Sequence, residues 1–208
     1  KKVSAELSIQ IVTSTNEPIT STSGLPIVPS CKLEDLADLD LIILPSMWRN
    51  PRRMVKQNNQ LLPLLRRYHQ QGTLICAVGT GAYFLAAAGL LDNKPATTHW
   101  FYFDDFAKTF PVVKLKTSHI ITKSDNLYCA GSINAVADLS SHFIEQFYGP
   151  EIARLIEGQF SPEIRRSYRS YGYFEGETNT HKDEQISDIQ QWLHDNYQQN
   201  INIKQLAE

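Results

Sequence analysis

The 208-residue chain contains little of what would place it in a specialised class of protein. Its three cysteines are odd in number and widely spaced, and no two of them form a CxxC pair. This pattern offers neither a disulfide framework nor a zinc site, so we expect reduced thiols in a cytoplasmic protein without metal or cofactor. No apolar run reaches the roughly 20 residues of a membrane-spanning helix, and no membrane partner is expected.

A charge excess of either sign is also missing. The formal net charge of -2 at pH 7 excludes a general basic field for nucleic acid. One local exception is the arginine-rich stretch that holds Arg165, Arg166 and Arg169. It could touch DNA phosphates, but a solvated helix end or an interdomain contact is the simpler interpretation.

Apolar runs and helical patterns alternate along the first three quarters of the chain. Strands are predicted at 7–13, 40–45, 73–78, 112–115, 120–122 and 127–130, a short β-excursion at 18–29, and helices at 58–71, 80–88, 100–110, 132–147 and 150–160. Strand alternating with helix predicts an α/β fold, with a mostly parallel sheet covered on both faces. The aromatic run Trp100–Phe103 is interpreted as part of the core.

The stretch Ala77-Val78-Gly79-Thr80-Gly81 has the sequence of a nucleophile elbow without its nucleophile. It joins a predicted buried strand to an alanine-rich helix and fits the pattern small–x–nucleophile–x–Gly, with Gly79 at the centre. The central residue of such an elbow has a strained backbone, which glycine adopts at little cost. A dinucleotide-binding motif fits less well, because Phe84 stands where the third glycine would be. No catalytic residue is therefore expected.

The same region resembles the class I glutamine amidotransferase-like (intracellular-protease-like) domain at the N-terminus of many AraC-type transcription regulators. The resemblance is carried by Gly79-Thr-Gly-Ala82, Ala88-Gly-Leu-Leu-Asp92 and Ala96-Thr-Thr-His-Trp100. The family has a cysteine where this chain has Gly79. Residues 186–208 are similar to the opening of an AraC-type DNA-binding domain, with Trp192 in its first helix.

The resemblance implies a domain organisation. We expect a flavodoxin-like α/β domain over 1–165, with a mostly parallel sheet flanked by helices, acting as a sensor or in dimerisation. A linker at 166–185 and the truncated start of an all-α, helix-turn-helix DNA-binding domain at 186–208 would follow. The first strand–helix unit of the α/β domain is expected to be missing from this chain, and the DNA-recognition helices are expected beyond Glu208.

Five candidate ligand-binding residues follow from the elbow and the resemblance: Ser46, Gly79, Thr80, Gly81 and His99. The amides of Thr80 and Gly81, beside the strand ends, suit a carboxylate or another polar small molecule. Thr80 could replace the nucleophile, but its position favours an N-cap of the following helix. Ser46 stands where relatives have a glycine facing the pocket, or in a plain turn. His99 has the spacing of the histidine in related thiol enzymes, or a structural role.

These observations predict a DNA-binding transcriptional regulator rather than an enzyme. Its partners would be operator DNA, a small-molecule effector and a second copy of the chain. Two alternatives stay open: a standalone amidotransferase-like or hydrolase-like enzyme, and a structural dimerisation module without a ligand. The thiol of Cys76 lies in an apolar strand pattern and is expected to be unreactive.

Overall fold

The computed structural model describes residues 7–21, 23–47, 49–160 and 172–174. Within them the strands are β1 (Ile19–Thr20), β2 (Pro26–Ile27), β3 (Leu41–Leu44), β4 (Leu74–Val78), β5 (Pro95–Ala96), β6 (Lys114–Leu115), β7 (Ile121–Ser124), β8 (Leu127–Ala130) and β9 (Gly172–Phe174). The α-helices are α1 (Pro51–Gln57), α2 (Leu61–Gln70), α3 (Ala82–Ala87), α4 (Phe103–Thr109), α5 (Ile133–Tyr148) and α6 (Pro150–Phe160). The arginine-rich stretch and the expected start of a DNA-binding domain lie outside the described residues.

The principal sheet has five strands in the order β3-β4-β8-β7-β9. Three of its four pairings are parallel, and only β7 and β8 run antiparallel. This confirms the α/β prediction of a mostly parallel sheet. β9 lies within the range predicted as a linker, where it pairs with β7.

Side chains of β4 alternate between two cores, which is why helices cover both faces of the sheet. Ile75 and Ala77 belong to the larger core, together with buried residues of α2, α3 and α4. Cys76 and Val78 point to the other face and belong to the smaller core with α5. A strand that is buried on both faces has a continuous apolar sequence, as Leu74–Val78 does.

The prediction of a strand at 7–13 is wrong, since these residues form no strand in the structure. The apolar side chains of Leu7, Ile9 and Ile11 alternate correctly but are 70%, 73% and 49% exposed. The backbone N–H of Ile11 instead donates to Ser30 Oγ, and the Ile11 carbonyl oxygen accepts from the Ser30 amide. Alternation marks a strand only where a partner strand is available, and no described strand pairs with this segment.

The prediction that the aromatic run is core is wrong for its first two residues, whereas Tyr102 is half-buried and packs against the core. Trp100 and Phe101 are 70% and 68% exposed, because residues 100–102 form a 3-10 turn that projects them into solvent. The aromatic core is formed instead by Tyr83 and Phe106, whose rings meet edge to face at 5.0 Å. Both are fully buried.

A tight turn joins β7 to β8 and ties this hairpin to the neighbouring helix. Asp125 occupies the left-handed region with φ of 53°, which aspartate tolerates better than most residues. The side-chain amide of Asn126 donates to the carbonyl oxygens of His69 and Thr73, where α2 leads into β4.

Among the helices of the described ranges, none has the length and apolar character needed to cross a membrane.

Candidate functional site

The elbow is present and has the expected left-handed backbone conformation at its centre. β4 ends at Val78, residues 79–81 form a 3-10 turn, and α3 begins at Ala82. Gly79 has φ of 50°, in the left-handed region that favours glycine. Its carbonyl oxygen accepts a hydrogen bond of 3.0 Å from the buried hydroxyl of Thr98. Thr98, which was not among the predicted site residues, therefore helps to fix the turn.

The side chain of Ser46 fills the space into which a nucleophile at position 79 would project. A Cβ atom built on Gly79 would lie 2.8 Å from Ser46 Oγ and 3.7 Å from the Cβ of His99. The end of β3, the elbow and the segment after β5 thus converge, so Ser46, Gly79 and His99 are neighbours. Because Gly79 has no side chain, the Ser46 hydroxyl has room beside it, and the two residues form a pair that is complementary in size.

Gly81 marks the closest approach of the elbow to β3. A Cβ atom at this position would lie 2.6 Å from the carbonyl oxygen of Leu44 and 3.0 Å from that of Pro45. Both contacts are with backbone, which cannot rotate away. Only glycine allows the turn to pass this close to the end of the strand.

Thr80 does not cap a helix, contrary to the prediction. Neither the 3-10 turn nor α3 receives a side-chain capping bond. Instead the buried Thr80 Oγ1 accepts from the Met47 amide at 2.7 Å, donates to the Met47 carbonyl at 2.8 Å, and lies 3.2 Å from Ser46 Oγ. A hydroxyl with these partners has no free proton or lone pair for nucleophilic attack. No sequence signal could have identified Met47, because it contributes only backbone atoms.

The side chain of His99 caps the 3-10 turn of residues 100–102, which is a structural role. Its Nδ1 accepts a hydrogen bond of 3.3 Å from the amide of Phe101, so in the neutral ring the proton is assigned to Nε2. The half-buried ring is 5.6 Å from Trp100 and 6.4 Å from Tyr102, centroid to centroid. In this tautomer His99 can donate to a ligand but cannot act as a general base through Nε2.

The two thiols nearest the elbow are buried in the sheet. Burial, followed by the proximity of Cys129, raises the pKa of Cys76 to about 12. Burial likewise raises the pKa of Cys129 to about 11. A thiol becomes nucleophilic only as the thiolate, so neither group is suited to catalysis near neutral pH. The described residues contain no cluster of three or more groups able to bind a metal ion.

Alkylation should therefore distinguish the three cysteines. At pH 8, iodoacetamide should label the partly exposed Cys31 and leave Cys76 and Cys129 unlabelled in the folded protein. Raising the pH to 10 should not change this, because burial excludes the reagent from both thiols and pKa values of about 12 and 11 leave each thiol mostly protonated. Peptide mass spectrometry measures the labelled sites, with urea-unfolded protein as the control in which all three react. Labelling of Cys76 at pH 8 would contradict the buried arrangement.

Similar proteins include both an enzyme and regulators. The isonitrile hydratase of Pseudomonas putida is 32% identical over 143 residues, which cover 68% of this chain and 60% of the hydratase. The HTH-type transcriptional regulator CdhR of Pseudomonas aeruginosa is 29% identical over 143 residues, covering 69% of this chain and 41% of CdhR. The chain thus matches three fifths of one relative and two fifths of the other.

Solved structures confirm the fold. An AraC family transcriptional regulator from Pseudomonas putida superposes with a TM-score of 0.60 at 20% identity, covering 76% of this chain and 84% of that one. A ThiJ/PfpI family protein from Pseudomonas syringae gives a TM-score of 0.61 at 21% identity, covering 90% and 74%. Residues 2–146 match the DJ-1/PfpI family model, in agreement with the elbow and with the resemblance to the domain of AraC-type regulators. The chain belongs to the DJ-1/PfpI family.

Proposed function

We propose that the chain belongs to a cytoplasmic, homodimeric DNA-binding transcriptional regulator in which the α/β domain binds a small-molecule effector without catalysis. The observation that carries this proposal is the elbow itself. Gly79 supplies no side chain, and Ser46 Oγ stands 2.8 Å from where a Cβ would begin. The backbone of a catalytic turn is kept while the room for its nucleophile is filled.

The regulator role is supported by the relatives. Besides CdhR, the HTH-type regulator GbdR of Pseudomonas aeruginosa is 25% identical over 153 residues, covering 74% of this chain and 41% of GbdR. Residues 186–208, with the sequence pattern of the opening of a DNA-binding domain, follow the α/β domain in the order expected for such regulators. Operator DNA is therefore the proposed macromolecular partner.

The convergence of Ser46, Thr80, Gly81 and His99 at the end of the sheet supports effector binding. Because the Thr80 proton is directed to Met47, the Ser46 hydroxyl donates to Thr80 and keeps its lone pairs. The Nε2–H of His99 adds a donor. A small molecule that carries both an acceptor, such as a carboxylate, and a donor fits this set.

A second candidate, an enzyme that hydrates isonitriles, is favoured by the 32% identity with isonitrile hydratase. Hydration adds water across the R–NC group and gives an N-substituted formamide. Such a reaction needs a group that activates the carbon or the water. In this chain the Thr80 hydroxyl is occupied by Met47, and Cys76 and Cys129 remain protonated. The described residues thus lack a ready nucleophile at the elbow.

Two measurements separate these functions. The full-length gene product that carries these residues should retard DNA from upstream of its own gene in a gel shift, and unrelated competitor DNA should not abolish the shift. The chain itself should leave cyclohexyl isocyanide unhydrated, as followed by formation of the formamide. The enzyme would be favoured over the regulator by two results together. The DNA would show no specific retardation, and the chain would hydrate the isocyanide at a rate that falls on Ser46→Ala.

A further inference from the structure

A basic cleft lies beside the elbow and has no part in it. The cleft has a volume of about 550 Å³, within the range of roughly 300–1,000 Å³ found for small-molecule sites. Its lining includes four basic side chains, those of Arg49, Arg52, Arg53 and Lys56. The only acidic residue among the lining residues is Asp105. In a chain of net charge -2, this is a marked local concentration of positive charge.

Asp105 is paired with Arg52 and does not neutralise the other basic side chains of the cleft. Its carboxylate accepts from Arg52 Nε at 3.0 Å, from the same guanidinium through Nη2, and from the hydroxyl of Tyr83 at 2.7 Å. This network fixes one wall of the cleft. Across the described residues, no carboxylate lies within ion-pair distance of Arg49, Arg53 or Lys56. Three cations therefore face the same space without a counter-charge from the described chain.

The backbone of Arg49, one of the residues that line the cleft, is strained in a way that positions its side chain. Arg49 has φ of 73°, in the left-handed region, which costs a residue with a side chain about 1–2 kcal/mol. The hydroxyl of Tyr102 holds this conformation by donating to the Arg49 carbonyl at 2.8 Å. Strain that is retained by a specific contact points to a functional role for the side chain it places.

We infer that the cleft is a binding site for a small polyanion, a ligand with two or more carboxylate or phosphate groups. Guanidinium groups bind both anions through paired, charge-assisted hydrogen bonds, and Lys56 supplies a further point charge. The concave shape and limited volume favour a small molecule over a nucleic acid backbone, which needs an extended basic surface. The site is lined by residues distinct from Ser46, Thr80 and His99, so its test does not depend on the proposed effector.

Calorimetric titration of the 208-residue chain at low ionic strength tests the inference with two probes, citrate for carboxylates and pyrophosphate for phosphates. One site per chain is expected for at least one probe, and the probe that binds identifies the anion class. Because the cleft is open to solvent, added salt should weaken binding. The double substitution Arg49→Gln with Arg53→Gln should lower the affinity by on the order of tenfold or more.

The matched control removes two charges elsewhere. Lys32→Gln with Lys114→Gln affects exposed residues outside the cleft and should leave the affinity within about twofold of the native value. Lys56→Gln provides a second cleft variant if the arginine pair impairs folding, which melting curves of all variants monitor. The inference is overturned if neither probe binds, if the control loses as much affinity as the arginine variant, or if a short DNA duplex displaces the probe and itself requires Arg49 and Arg53.

Discussion

Replacing Gly81 with alanine should reduce the free energy of unfolding by about 3 kcal/mol, the upper part of the range measured for overpacked interiors. The added Cβ would stand 2.6 Å from the carbonyl oxygen of Leu44 and 3.0 Å from that of Pro45. Gly81 itself has an ordinary helical φ of -55°, so the cost is steric rather than conformational. To relieve the contact, either the elbow or the end of β3 must move. Urea denaturation followed by circular dichroism measures the change.

Gly158→Ala is the matched control for this substitution. Gly158 lies inside α6, and a Cβ there would have no heavy atom within 4 Å. Alanine favours helices over glycine by about 1 kcal/mol, so this variant should be as stable as the native chain or slightly more so. Equal stability of the Gly81 and Gly158 variants would show that the elbow does not approach β3 as closely as described.

Gly79→Cys, which restores the residue type of the family's nucleophile, should cost about 2–3 kcal/mol. Part of this is the left-handed backbone, with φ of 50°, which disfavours residues with a side chain by about 1–2 kcal/mol. The rest is the contact of the new Cβ with Ser46 Oγ at 2.8 Å. Thermal or urea denaturation of the variant measures the sum of the two effects.

A double-mutant cycle separates those effects. In a Ser46→Gly background the contact is absent, so Gly79→Cys should then cost only about 1–2 kcal/mol. Gly72→Cys measures the free-energy cost of the left-handed backbone alone, because Gly72 has φ of 86° and a Cβ there has no heavy atom within 4 Å. If Ser46→Gly fails to reduce the cost of Gly79→Cys, the two residues do not form the complementary pair seen in the structure.

Continuous apolar runs were sufficient to predict most of the central sheet. Leu41–Leu44, Leu74–Val78 and Leu127–Ala130 all form strands of the principal sheet. β3 and β4 pair in parallel and are connected through α1 and α2, as strand alternating with helix predicts. The segment 7–13 has an equally regular pattern yet forms no strand, because a pattern records which faces are apolar and carries no information about an available partner.

The sequence was sufficient to predict which residues lie at the elbow, but not which contacts they make. The glycine-rich motif located Gly79, and its left-handed φ confirms the geometry of the turn. The prediction that Thr80 caps a helix failed, because its best partner is the Met47 backbone, 33 residues away in sequence. Such a contact arises from the fold and leaves no local signal. The ligand-binding role of the five residues stays a prediction.

The hairpin of β7 and β8 has a consequence for the order in which the chain can fold. Its strands are joined by only Asp125 and Asn126, so it can close within microseconds, before the distant partners of the sheet have met. β4 must then be brought from far along the chain to pair with β8, a non-local step that is slow because loop entropy is lost first. Asn126 bonds to the carbonyl of Thr73, immediately before β4. The hairpin turn thereby offers the incoming strand its first point of attachment.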